Sequence, residues 1–216
     1  MSLAMLLVLA DGRLPAGGHA HSGGLEAAAA AGRVVDLASL DGFLRGRLAT
    51  SGVVAAAFTA AACARVADER LDSLDEGLDA RTPSPALRKA SRAQGRALMR
   101  AARAMWPVGD IGREPHHPIA LGAAAAAAGL TPRDAATAAA YGSLTGPATA
   151  AVRLLGLDPY GTHALLATLA ADCDRIAGEA ADHAHDPVDE LPADSAPWLD
   201  IGAEHHATWE VRLFAS

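Results

Sequence analysis

Apolar side chains recur every three to four residues along most of the chain, which is the period of a helix with one buried face. The clearest runs are Leu37, Leu40, Leu44 and Leu48, and then Leu165, Leu169, Cys173, Ile176 and Ala180. No stretch shows a convincing strand pattern. The sequence therefore predicts an all-α fold, with a single helical domain of roughly eight to ten helices over residues 1–216.

Capping and turn residues divide this pattern into segments. Asp36, Thr131 and Asp158 are N-cap candidates, and the last two precede a proline at the first helical position. The predicted helices in the first half are Met1–Ala10, Ser22–Ala31 ended by Gly32, one that begins after Asp36, and one from Val53 to about Val66. In the second half they are Ile119–Ala128 ended by Gly129, one that begins at Pro132 and one that begins at Pro159. The helix from Pro132 could reach Leu155, but it should kink or break at Gly146-Pro147. An acidic loop is expected at 182–195, followed by a C-terminal tail at 196–216.

Composition supports the helical prediction and narrows the function. Of 216 residues, 55 are alanine, the best helix former, and only eight are aromatic. The net charge of −7 argues against a nucleic-acid binder, because such proteins are basic. No apolar run reaches the roughly 20 residues of a membrane span, and the two cysteines, Cys63 and Cys173, do not form a disulfide framework. We expect a cytoplasmic protein that binds neither nucleic acid nor membrane.

Two neighbouring segments carry opposite charge. The first holds Asp68, Glu69, Asp72, Asp75, Glu76 and Asp79, and the second holds Arg81, Arg88, Lys89, Arg92, Arg96, Arg100 and Arg103. Four of these arginines are spaced four residues apart, from Arg88 to Arg100, and form one stripe on a helix. The segments either pair as an antiparallel hairpin whose charges neutralise each other, or leave a basic face for an acidic partner.

Candidate chemistry is sparse. The sequence lacks GxxxxGK[ST], GxSxG and HExxH. Most histidines form pairs: His19/His21, His116/His117, His183/His185 and His205/His206. Residues one or two apart on a helix do not converge on one ion, so no metal site is predicted, and the loop residues His19 and His21 are only weak candidates. His116 and His117 precede a helix and are expected to satisfy its open N–H groups.

Three motifs resemble those of a known family. Residues 14–26 read LPAGGHAHSGGLE, residues 116–122 read HHPIALG, and residues 206–216 read HATWEVRLFAS. These three motifs resemble motifs of the UreF family of urease accessory proteins. The first is similar to the family's LPxGG followed by YSxGLE, the second to HPxAxG, and the third to HETxYxRLFRS. The chain departs from the family at His19 and His21, where aromatic residues are usual, and at Ala207 and Ala215, where Glu and Arg are usual.

The resemblance implies a non-enzymatic, all-α homodimer that acts in urease maturation. Such proteins join the accessory protein UreD, also called UreH, and recruit the GTPase UreG to insert nickel into the urease apoprotein. This chain would need no cofactor, because the complex handles nickel and UreG binds GTP. The partner-binding residues implied are Gly17, Gly18, His19, His21, Ser22, Glu26, His206, Arg212, Leu213, Phe214 and Ser216.

Within the tail, Leu213 and Phe214 are expected to anchor UreD, with Arg212 adding a charged contact. They could instead pack on their own domain. If they serve the partner, removing residues 212–216 should cost little stability.

Two other hypotheses stay open. Paired imidazoles would suit a direct nickel-binding metallochaperone, which predicts a tight site on the isolated protein. A helical metalloenzyme would need mixed carboxylate and histidine spacing on facing helices, which the sequence lacks.

Overall fold

The computed structural model describes residues 2–66 and 71–216, and every regular element within them is helical. The α-helices are α1 Leu3–Ala10, α2 Leu25–Ala30, α3 Leu37–Arg47, α4 Val53–Arg65, α5 Asp72–Ala80, α6 Pro85–Met105, α7 His117–Ala127, α8 Pro132–Leu155, α9 Pro159–Thr168, α10 Ala170–Asp182 and α11 Pro197–Ala207. A π-turn, Leu48–Gly52, joins α3 and α4 into one helix, which gives ten helices in the described chain. The predicted all-α domain is confirmed. Asp68 and Glu69 lie outside the described residues.

Helix starts follow the predicted capping chemistry. The Asp36 carboxylate accepts the Ser39 N–H at 2.8 Å at the start of α3. At α8 the cap is reciprocal: Asp134 N–H donates to Thr131 Oγ1 at 3.2 Å, and Thr131 N–H donates to Asp134 Oδ2 at 2.9 Å. Asp158 likewise accepts two amides in the first turn of α9. Each cap satisfies N–H groups that a helix leaves open at its start and contributes about 1 kcal/mol.

One predicted cap is wrong. Helix α2 begins at Leu25 after Gly24, not after Ser22. Gly24 has a φ of 91°, a left-handed conformation that is strained for a residue with a Cβ atom. Ser22 lies one turn earlier, and its hydroxyl accepts the N–H of Glu26 at 3.2 Å. The predicted stop at Gly32 agrees with its φ of 68°.

Two helix boundaries also differ from the predictions. The predicted break at Gly146-Pro147 does not occur: helix α8 continues to Leu155, and alanines that follow Pro147 are buried in the core. The helix predicted from Pro159 is two helices, α9 and α10, which meet at Leu169. The Leu169 N–H is shared between the carbonyls of Leu165 and Leu166, so the turn tightens there while Leu169 stays buried.

Helix α4 lies at the centre of the core and contacts α7, α8 and α10. Small side chains bring these backbones close together. At Gly122 of α7, an added Cβ atom would stand 2.7 Å from the Ala62 Cβ and 2.8 Å from the Cys63 N. Larger residues such as Phe58 and Leu144 fill the remaining space and are fully buried.

Helices α5 and α6 pair their opposite charges as one of the two interpretations predicts. Arg92 donates to Asp75 at 2.8 Å and to Asp79 at 2.9 Å, and Arg96 reaches Glu114 at 3.0 Å. Further along α6, Arg100 and Arg103 are exposed. Neutralisation is therefore established for the first part of the stripe, and a docking role for the rest of α6 stays a hypothesis.

One helix, Leu37–Arg65, is long and apolar enough to cross a membrane, although the sequence predicts no span of this length. The difference arises because the π-turn joins two segments that look separate in the sequence. Within its most apolar 18 residues, 61% are buried inside the protein. Burial of this kind is the property of a core helix.

Candidate functional site

The first and third sequence motifs meet in space. The backbone of the segment 212–216 runs beside residues 20–22: Ala215 N–H donates to the Ala20 carbonyl at 2.7 Å, and Ser22 N–H donates to the Ser216 carbonyl at 2.6 Å. The Ser22 hydroxyl also donates to the Ser216 carbonyl, at 2.9 Å. The predicted Ser22 and Ser216 thus belong to one site, although they are 194 residues apart.

Glu26 organises this site, and we call its hydrogen bonds the Glu26 network. Its carboxylate accepts the N–H of Leu213 at 2.9 Å and of Phe214 at 3.1 Å, and one oxygen lies 2.8 Å from His206 Nε2. Burial alone would raise the pKa of Glu26, but the two amides and His206 outweigh it, so the pKa falls below its usual value. The carboxylate therefore stays ionised and holds the segment against α2.

The two apolar residues of the tail have different environments. Phe214 is 5% exposed and belongs to the main hydrophobic core, with the Arg153 guanidinium 4.7 Å from its ring centroid. Leu213 is 68% exposed, and Arg212 is exposed as well. In this conformation Phe214 is not available as a surface anchor, whereas Leu213 and Arg212 are. The tail as predicted, 196–216, also contains a helix, α11, which carries His206.

The connection between α1 and α2, residues 11–24, which we call the glycine loop, supports the same site from the other side. Gly17, in a left-handed conformation with a φ of 76°, precedes a short 3₁₀ turn that contains Gly18 and His19. His19 is exposed, whereas His21 is partly buried and its Nδ1 lies 2.7 Å from Ser216 Oγ. Burial lowers the pKa of His21, and the neighbouring His19 lowers it further. His21 therefore faces the C-terminal segment as a neutral imidazole.

A cavity of about 630 Å³ lies behind this junction. Its wall includes His21, Arg47, His117, Phe214 and Ser216. Burial, and secondarily His21, lowers the pKa of His117 to about 4, so its ring is neutral near pH 7. Across residues 2–66 and 71–216, no three His, Cys, Asp or Glu side chains are grouped as they would be around a metal ion.

The histidines of the middle motif do not cap α7 as predicted. His116 is fully buried, with Nδ1 2.9 Å from Ser91 Oγ and Nε2 3.0 Å from Asp79 Oδ1. The imidazoles do not satisfy the open amides. Instead, Asp75 accepts the His116 N–H at 2.7 Å and Ser91 accepts the His117 N–H at 3.1 Å. The prediction missed these side chains because they come from α5 and α6.

The order Ser91, His116, Asp79 is that of a hydrolase relay, but its surroundings differ. Ser91 Oγ already accepts the His117 amide, and Asp79 is also held by Arg92 at 2.9 Å. These bonds join α5 and α6 to the start of α7. The arrangement is a polar support around the buried His116, and we assign it no chemistry.

The cysteines have no place in this site. Cys63 and Cys173 are buried free thiols, and burial raises the pKa of each to about 11. Neither is a thiolate near pH 7, which removes the nucleophile that a cysteine enzyme would need.

The described residues form an all-helical body whose polar side chains hold its own segments together, with a large cavity behind them. The family model for UreF matches residues 34–170. Relatives named urease accessory protein UreF are similar over all of this chain and 99% of their own length: 49% identical in Mycobacterium sp. (strain JLS) and 48% in Mycobacterium marinum. The chain belongs to the UreF family of urease accessory proteins, a non-catalytic family, as its three motifs suggested.

Proposed function

We propose that this chain acts in urease maturation as a non-enzymatic accessory chaperone. It joins a UreD-type protein and the GTPase UreG, and the complex inserts nickel into the urease apoprotein. The chain itself holds no cofactor, because nickel is the cargo of the complex and UreG binds GTP. We further propose that it is cytoplasmic and a homodimer. The observation that carries the proposal is the assembly of the first and third family motifs into the Glu26 network.

The partner surface that we propose is the exposed side of this network. Val211 is 86% exposed and Leu213 is 68% exposed, and both follow directly on the α11 helix that carries His206. Apolar side chains of this size gain about 1.5–3 kcal/mol each when a partner buries them. Arg212, which lies between them, can add a charge-assisted hydrogen bond. The Glu26 network would then present these side chains in a fixed conformation, which lowers the entropy cost of binding.

Substitution of Leu213 tests this surface. In a binding assay with a purified UreD-type partner, Leu213→Ala should weaken the complex by about tenfold or more. It should leave the melting temperature unchanged, because Leu213 contributes little to the core. A Leu213→Ala protein that binds the partner and supports urease activation as well as the original chain would contradict the proposed surface.

Direct nickel binding is the second candidate, and one observation favours it. His21 and His117 border the same cavity, and His21 contributes to the lowered pKa of His117, so two neutral imidazoles lie near each other. Calorimetric titration with Ni²⁺ distinguishes the two candidates. A stoichiometric, submicromolar site lost in the His19→Ala, His21→Ala double variant would favour the metallochaperone, and weak or absent binding would favour the accessory role.

A further inference from the structure

Arg47 carries its charge into the wall of the cavity. It is the last residue of α3, directly before the π-turn, and its side chain reaches back toward the glycine loop. Its Nε donates to the Ser143 carbonyl at 2.9 Å, and its Nη1 donates to the Gly23 carbonyl at 2.9 Å. These bonds fix the plane of the guanidinium between α8 and the first motif.

Both of these acceptors are neutral carbonyls. Among the described residues, Arg47 makes no ion pair with a carboxylate, and burial lowers its pKa to about 10. Two of the acidic residues in the cavity wall are engaged elsewhere: Asp11 pairs with Arg13 at 2.9 Å, and Asp200 accepts the Ser84 N–H. The Arg47 side chain is partly buried, so its charge without a counter-ion carries part of the cost of a buried cation, and an anion beside it would offset that cost.

The guanidinium keeps donors for such an anion. An arginine side chain has five N–H groups, and the two carbonyls occupy only two of them. The remaining groups are on Nη1 and Nη2, the pair of nitrogens through which an arginine can present a planar fork to two oxygens of a carboxylate. The same cavity also exposes the neutral His117 ring, for which the described chain supplies no hydrogen-bond acceptor or donor.

We propose that Arg47 is an anion-binding site of this cavity and takes a small planar oxyanion of the carboxylate class through its guanidinium fork. The site lies in the body of the protein and does not use the exposed residues of the partner surface. A failed formate titration would therefore leave the proposed partner surface untouched. The cavity volume of about 630 Å³ leaves ample room for an ion of this size.

Formate is a suitable probe, because it is a bare planar carboxylate. The full chain, labelled with ¹⁵N, is titrated with sodium formate against sodium chloride at constant ionic strength. The Arg47 guanidinium resonances, those of the Nη groups above all, should shift saturably with formate and not with chloride. Arg45 provides the internal reference: it lies two residues away on the same helix, is exposed, and is already paired with Asp41 at 2.9 Å, so its resonance should not move.

Variants then assign the binding to the fork. Arg47→Lys keeps the charge and loses the two-pronged geometry, so formate should bind about tenfold more weakly. Arg47→Met should abolish saturable binding, and Arg45→Met should leave it unchanged. If the Arg47 resonance of the unsubstituted protein does not respond to formate, or if Arg47→Lys binds formate as tightly, the proposed site is wrong. The resonance experiment does not depend on whether the variants fold.

Discussion

The carboxylate of Glu26 and the imidazole of His206 lie 2.8 Å apart, although 180 residues separate them along the chain. Both side chains are almost completely buried. Together with the amides of Leu213 and Phe214, they join α2, α11 and the segment that follows α11. The ionised form of Glu26 is what makes this junction possible, because each of its partners donates a hydrogen bond to it when His206 carries a proton on Nε2.

Replacing Glu26 should release the C-terminal segment. Glu26→Ala leaves two buried amides and a histidine without their acceptor, which should cost about 2–4 kcal/mol of unfolding free energy. Amide hydrogen exchange at Leu213 and Phe214 should accelerate at the same time. Glu210→Ala, at an exposed position in the same segment, is the control and should change neither quantity. Unaltered exchange in Glu26→Ala would mean that other contacts hold the segment.

Substitutions of Phe214 and of Leu213 should differ in their effects on the free energy of unfolding. Phe214→Ala removes a buried ring and should lower the unfolding free energy by about 3–5 kcal/mol, measured by urea denaturation. Leu213→Ala should change it by less than about 0.5 kcal/mol. Removal of residues 212–216 should therefore destabilise the protein, contrary to the expectation from the sequence. Equal stability of the two variants would show that the segment is undocked in solution.

Gly122 should not tolerate a side chain. A Cβ atom there would overlap the Thr59 carbonyl oxygen and stand 2.8 Å from the Cys63 N, both backbone atoms of α4. Gly122→Ala should therefore separate α4 from α7 and lower the melting temperature markedly. Gly178→Ala is the matched control, because nothing lies within 4 Å of that position in α10. It should stabilise the protein by about 0.5–1 kcal/mol, through helix propensity alone.

His117 should make stability depend on pH. Its pKa is about 4 in the folded protein and about 6.5 when unfolded, so between these values the unfolded chain binds a proton that the folded chain does not. The stabilising contribution is complete above the unfolded pKa and declines as the pH falls toward the folded one, by up to about 3 kcal/mol. His117→Gln should reduce the change in unfolding free energy that is measured between about pH 7 and pH 5. His185→Gln, at an exposed histidine, should keep the slope of the original protein.

Local chemistry explains which parts of the fold were predictable. Asp36 and Thr131 mark helix starts because their caps involve residues three positions away, so the sequence contains the whole interaction. The break between α9 and α10 at Leu169 has no such local signal in the sequence. Apolar spacing continues across it, and the tightened turn depends on how α9 and α10 pack on the body.

The same distinction applies to the site. Glu26 and His206 were named because they fall within motifs, but nothing in the sequence indicates that they touch each other. Arg47 gave no signal at all, because an arginine near the end of a helix is usually a solvated residue. Its partly buried position depends on the contact of α3 with Ser143 of α8 and with the glycine loop, which only the folded chain supplies.

The π-turn at Leu48–Gly52 also sets the phase of the long helix in which it lies. A wider turn accommodates one residue more than an α-helical turn does, and each residue of an α-helix advances the side chains by about 100°. Deleting one residue between 48 and 52 would remove that extra residue and let the helix regularise, with everything after it kept close to its present phase. A deletion between 53 and 57, in the regular part of α4, has no wider turn to absorb it and would rotate the rest of the helix by about 100°. Phe58, which is fully buried, would then point away from its present neighbours. In a deletion library, this turn should therefore tolerate the loss of a single codon far better than residues 53–57 do.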